Sequence, residues 1–294
     1  MDKTHNQNAE WRTILWISIP IYLIALAYLI LLGQVTAAIL WFASAVYQTL
    51  LAFLATRITK PLPSQDVERP QNKTILWAQI AVIAVLILLT GWDSRAIPLW
   101  GDMVAWFIKL GESVLPVKWF GGPGNAVANP VKYFVIPFIL LLIMGAKPKE
   151  LGLGKGHKVW QVYILWLVLP VLVSIALLAR GSLAAQALMQ SVIGNTFQNG
   201  FFEEFLFRGA LQTRLRRLLS LPWTLAVQAL VFGLWHIRAN TQSMHGNIPA
   251  GLAICLVSQT VLGFVFGYVF HRTRNLVAPS VVHVATNVLG RMFG

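Results

Sequence analysis

The chain has 294 residues, 57% of them hydrophobic and only 11% charged, and a net charge of +13. Soluble domains carry about 25% charged residues, so the composition excludes an ordinary soluble fold and implies an integral membrane protein. The basic excess does not point to nucleic acid, because lysines and arginines cluster in short loops between apolar runs, the pattern of the positive-inside rule.

One cysteine, Cys255, excludes an intrachain disulfide and a cysteine metal cluster. Twelve tryptophans, many near the ends of apolar runs, fit interfacial aromatic belts. The first apolar run exceeds a signal-peptide core and lacks a small-residue cleavage site, so it is expected to be a retained span.

Taken in order, the apolar runs predict spans at residues 12–32 and 35–56, joined by a tight turn at Gly33 and Gln34. A polar, proline-bearing loop (57–74) precedes a third span at 75–92. Residues 93–130 differ: Asp93, Arg95, Asp102, Lys109, Glu112 and Lys118 are spread among aromatic residues. That pattern predicts an interfacial helix near 101–115 and a GGPGN turn at 121–125. A fourth span is expected at 131–145, with Lys132 snorkelling from its end, and a fifth at 159–178, kinked at Pro170.

Residues 181–199 are small and polar, and predict a short amphipathic helix broken near Gly194, with Thr196 or Asn199 capping the next helix. That helix runs to about Leu219 and ends on Arg214, Arg216 and Arg217. Pro222 opens the following helix, which reaches Ile237 and carries His236 near its end. A polar loop (238–248) and spans at 249–270 and 276–293 complete the chain. The expected fold is an all-α polytopic transmembrane bundle of about eight or nine membrane helices. It forms one integrated membrane domain, with N-terminal helices in 1–180, including the interfacial segment 93–130, and a catalytic core in 181–294. Loop charges place the N-terminus in the cytoplasm and the ends bearing Glu203 and His236 towards the other side.

The segment FFEEFLFRG (201–209) places two carboxylates and an arginine in apolar surroundings. Each ionised group at bilayer depth costs about 2.5–3.5 kcal/mol on insertion scales, so such a cluster is a functional site by default. Glu204 and Arg208 are four apart and can pair on one helix face. Glu203 points about 100° away and is left for other work. His236 lies at the same membrane level on the next, antiparallel helix, and His283 and Asn287 share one face of the last.

This set suits hydrolysis. A carboxylate beside an imidazole can hold and deprotonate a water, and an imidazole with a carboxamide can donate to an oxyanion. Glu203, His236 and His283 are equally an open zinc set, although no HExxH motif is present. Each element has a plainer reading: Glu204 and Arg208 as a structural pair, Phe232 as packing, His283 and Asn287 as interhelical bonds. The convergence of all three segments favours chemistry.

Glu203-Glu204-x-x-x-Arg208, Phe232-x-x-x-His236 and His283-x-x-x-Asn287, in that order, resemble the motifs of the CAAX protease and bacteriocin-processing family (CPBP or Abi), which includes the type II CAAX prenyl endopeptidases. The resemblance covers about residues 195–294 and the LGL at 151–153. It implies an intramembrane endopeptidase acting on a membrane-associated peptide or protein. Glu203 and His236 would activate the water, His283 and Asn287 would stabilise the oxyanion, and Glu204, Arg208 and Phe232 would support them. The family has been read both as metalloproteases, with zinc, and as metal-independent, and the expectation here is the latter. A multi-pass protein of a bacterial inner membrane is expected. The alternative is a non-enzymatic immunity or scaffold protein of the same family. A transporter with a buried proton relay fits less well, because the spans show no two-half repeat.

Overall fold

The computed structural model describes residues 3–59, 72–91 and 97–293. Most of the expected polar loop 57–74, and Asp93 and Arg95, lie outside the described residues. Among the described residues all regular structure is helical, and six helices are long and apolar enough to cross a membrane.

Helices α1 (Lys3–Leu31) and α2 (Val35–Ile58) form the expected antiparallel pair. Gly33 turns the chain at φ +80°, and the Gln34 amide closes the turn on Leu29 O at 3.0 Å. Helix α3 (Lys73–Gly91) is the third span. Helix α4 (Trp100–Val114) is the amphipathic segment: Gly101, Val104 and Gly111 are buried while Trp106 and Val114 are exposed.

The GGPGN expectation is corrected here. Only Gly121 and Gly122 turn the chain; Pro123, suited to the first helical position, opens helix α5 (Pro123–Ile143). The fourth span therefore starts eight residues earlier than 131, and part of 93–130 belongs to it. Lys132 is not at a helix end. It lies in a wide π turn (Val131–Val135) directly after Pro130, which has no N–H to offer. Its ammonium sits 4.9 Å from the Tyr133 ring centroid.

Helix α6 (Val159–Ala179) runs through Pro170. Helix α7 spans residues 185–215 and carries the FFEEFLFRG segment. It corrects two expectations. The chain does not break at Gly194; it widens into a π segment at Thr196–Gly200 and a second at Phe205–Gln212. Thr196 and Asn199 are not caps, because the Thr196 hydroxyl bonds Val192 O and the Asn199 amide faces Asn195.

Helix α8 (Leu221–Trp235) has 15 residues, about 22 Å of helix against a hydrocarbon core of about 30 Å. His236 follows at φ −87°, ψ 1°, the sparsely allowed bridge region in which many active-site residues sit. The expected polar loop 238–248 is instead largely helical, as α9 (Ile237–Ser243). Helices α10 (Ile248–Thr273) and α11 (Val277–Phe293) complete the bundle.

Helices α7, α8, α10 and α11 form the centre, with α1–α3, α5 and α6 around them. The outer helices expose apolar residues such as Trp16, Ile24, Leu88 and Ile164, as lipid contact requires. The centre packs through small residues. A Cβ on Gly263 of α10 would lie 3.0 Å from Ala229 Cα of α8, and Gly267 approaches Gln228 and Gln212 as closely. This small-xxx-small spacing lets two helices touch backbone to backbone.

The basic loops collect at one end of the bundle. Arg217 pairs with Glu150 at 3.0 Å, Arg272 donates to Thr59 at 2.9 Å, and Asn275 donates to Gly154 O at 2.7 Å.

Gly263→Val should destabilise the protein by about 1–3 kcal/mol or more, because the obstructing atoms are backbone. Thermal unfolding in detergent should show a lowered midpoint, whereas Gly290→Ala, which meets nothing within 4 Å, should leave it unchanged.

Candidate functional site

One oxygen gathers the site. Glu204 Oε1 accepts from Arg208 at 3.0 Å along its own helix and from His283 Nδ1 at 2.9 Å across to α11. Arg208 donates its other terminal nitrogen to Gly263 O of α10 at 2.9 Å, an acceptor that only the close α8–α10 approach brings so near. Its guanidinium lies 4.5 Å from the Phe232 ring centroid and 5.3 Å from that of Phe266. Glu204 and Arg208 are fully buried.

This arrangement sets the tautomer of His283. A carboxylate only accepts, so Nδ1 carries a proton. The ring stacks on Phe266 at 4.8 Å, and its Nε2 faces Glu203 Oε2 at 4.0 Å. Glu203 is buried, and among the described residues its Oε2 has no hydrogen-bond partner. The separation of roles is the one the spacing predicts: Glu204 pairs with Arg208 and Glu203 does not.

His236 is half-buried at the end of α8. Its Nδ1 bonds the Phe232 carbonyl at 2.9 Å, which makes Nδ1 the donor and leaves Nε2 as the acceptor. Phe232 separates the two histidines, with ring centroids 4.9 Å from His236 and 6.1 Å from His283. It thus does more than pack: its carbonyl orients one histidine and its face meets the arginine. Asn287 lies one turn beyond His283 and donates to Asn195 Oδ1 of α7 at 3.1 Å.

Among the described residues no three His, Cys, Asp or Glu side chains are grouped closely enough to hold a metal ion. His283 and His236 each have Nδ1 committed, to Glu204 and to the Phe232 carbonyl, and Nε2 free, an arrangement that histidine ligands of metals also use.

Two asparagines escape a motif reading. Asn195 and Asn199 precede Glu203 at successive spacings of four, continuing a polar line from Ser191. Asn199 lies 3.3 Å from Asn195 Oδ1 on one side and 3.3 Å from Glu203 Oε1 on the other. That four-residue spacing was the available signal. A cavity of about 490 Å³ is lined by Phe120, Gly122, Ser191, Gly194, Gln198 and Arg291, from the same stretch of α7.

These observations define a class: an all-helical integral membrane protein with buried carboxylates, histidines and amides gathered between its C-terminal helices. Within that class, residues 185–289 match the family model described as type II CAAX prenyl endopeptidase Rce1-like. The matched segment holds all three motifs and agrees with the CAAX protease family resemblance. No curated protein and no solved structure matches the chain.

Removing one member of a buried ion pair strands the other, at a cost of about 3–5 kcal/mol. Arg208→Met should therefore lower the unfolding midpoint sharply. Adding Glu204→Gln should restore part of the loss, measurable by thermal unfolding of the single and double variants.

Proposed function

We propose that this protein is an intramembrane endopeptidase that hydrolyses a peptide bond of a membrane-associated protein or peptide. The observation that carries this reading is the facing pair Glu203 Oε2 and His283 Nε2, 4.0 Å apart, one carboxylate oxygen being unpartnered in a buried site. One water at about 2.8 Å from each atom would subtend roughly 90° at its oxygen, close to ordinary water geometry.

Glu203 takes a proton from that water as its oxygen attacks the scissile carbonyl carbon. His236, across Phe232 from His283, keeps Nε2 free to accept a proton. The carbonyl oxygen becomes an oxyanion, which accepts from an Asn287 N–H, while His283 Nε2 holds the attacking water. Collapse breaks the C–N bond, and the proton on Glu203 passes to the departing amine. A dry, preorganised site gives such donors their full effect.

The family match over 185–289 supports the same reaction class. It supports a membrane-associated substrate and leaves the prenyl group as a property of the matched family. The competing reading, an immunity or scaffold protein, needs no proton transfer at Glu203.

The test compares peptide termini in membranes holding wild type or Glu203→Gln at equal folded levels. New termini should appear with the wild type and fall by about 10²-fold or more with Glu203→Gln. Equal termini in both would refute hydrolysis by this site and leave the scaffold reading.

A further inference from the structure

We propose that Asn195 is a positioning residue of this site, holding Asn287 so that an N–H, rather than the amide oxygen, faces the oxyanion. The inference rests on the hydrolytic reading above and adds a residue to it.

Asn195 is 2% exposed and is the last residue of the regular helical stretch Ala185–Asn195. Its Nδ2 donates to Ser191 O at 2.7 Å. Only the nitrogen end can make that bond, so Oδ1 must point away from the helix turn beneath it. There Oδ1 accepts from Asn287 Nδ2 at 3.1 Å, and Asn199 lies against it at 3.3 Å. One amide of α7 therefore sets the direction of an amide on α11.

The direction matters because the two ends of a carboxamide have opposite polarity. The terminal torsion of asparagine is broad and nearly two-fold, so an unheld Asn287 adopts either orientation. With Nδ2 held, its second N–H remains to donate to a developing negative charge. With the amide reversed, an oxygen faces that charge and repels it. The π turn that follows at Thr196–Gly200 continues the polar line, carrying the same helix face on to Asn199 and Glu203.

A merely structural role predicts something else. An interhelical amide bond in a membrane protein contributes modestly to stability. Its loss would reduce stability and leave turnover per folded molecule unchanged.

The experiment measures the rate at which Glu203-dependent peptide termini form in membranes, at equal amounts of folded protein. The variants are Asn195→Ala, Asn195→Leu (near-isosteric, and free of a polar group to bury), Asn287→Ala and the double variant Asn195→Ala with Asn287→Ala. Both Asn195 variants should slow the reaction by roughly 10–100-fold. The double variant should be no slower than Asn287→Ala, because Asn195 acts through Asn287.

Wild-type rates in Asn195→Leu, or multiplying losses in the double variant, would overturn the inference while leaving the hydrolytic reading intact. An Asn287→Ala variant with full activity would overturn it as well, by removing the group it acts through. A wild type that forms no Glu203-dependent termini would refute the hydrolytic reading, and this inference with it.

Discussion

The structure depends on one carboxylate oxygen shared by two donors. Arg208 in an apolar interior must be neutralised, and Glu204 neutralises it from one turn away. The same oxygen also holds His283, so the charge that Arg208 requires is used to fix a ring on another helix. The guanidinium, in turn, reaches a carbonyl of α10 and the face of Phe232 on α8. Four helices are thereby tied to a single ion pair. Glu203, excluded from that knot by its direction, keeps its Oε2 without a hydrogen-bond partner among the described residues.

Around the knot the helices depart from regular geometry. π segments occur at Val131–Val135, Thr196–Gly200, Phe205–Gln212 and Cys255–Gln259, on three helices that surround the site. Such segments recur at functional sites because they re-aim side chains without ending the helix. Here they have particular effects. The first widens the helix at Lys132, whose ammonium meets Tyr133, and the second carries the asparagine line to the carboxylates.

Much of this was legible in the sequence. Apolar runs near bilayer length define spans by themselves, and a charged triplet at i, i+1, i+5 within one states its own pairing. What stayed hidden was tertiary or subtle. Nothing in the spacing links His283 to Glu204, because that contact joins residues 79 apart. Small polar residues favour caps, so Asn199 reads as one, and only its place inside a continuous helix, facing Asn195, shows otherwise. The π turns leave no mark in hydrophobic periodicity. Proline at 123 was read as part of a turn, whereas it starts a helix, since both uses favour its fixed φ. Residues 238–243 were too polar to suggest a helix, yet they fold as one against α10.

The shortness of α8 bears on supply as well as on placement. Hydrolysis consumes water, and the hydrocarbon interior holds almost none. A helix of 15 residues ends about 8 Å short of a core of about 30 Å, and a bilayer meets a short segment by thinning around it. Thinning of that kind would bring the aqueous phase towards the end of α8 at one point of the bundle, on the side away from the basic loops. A reaction there that needs water could then draw on it without a channel crossing the membrane.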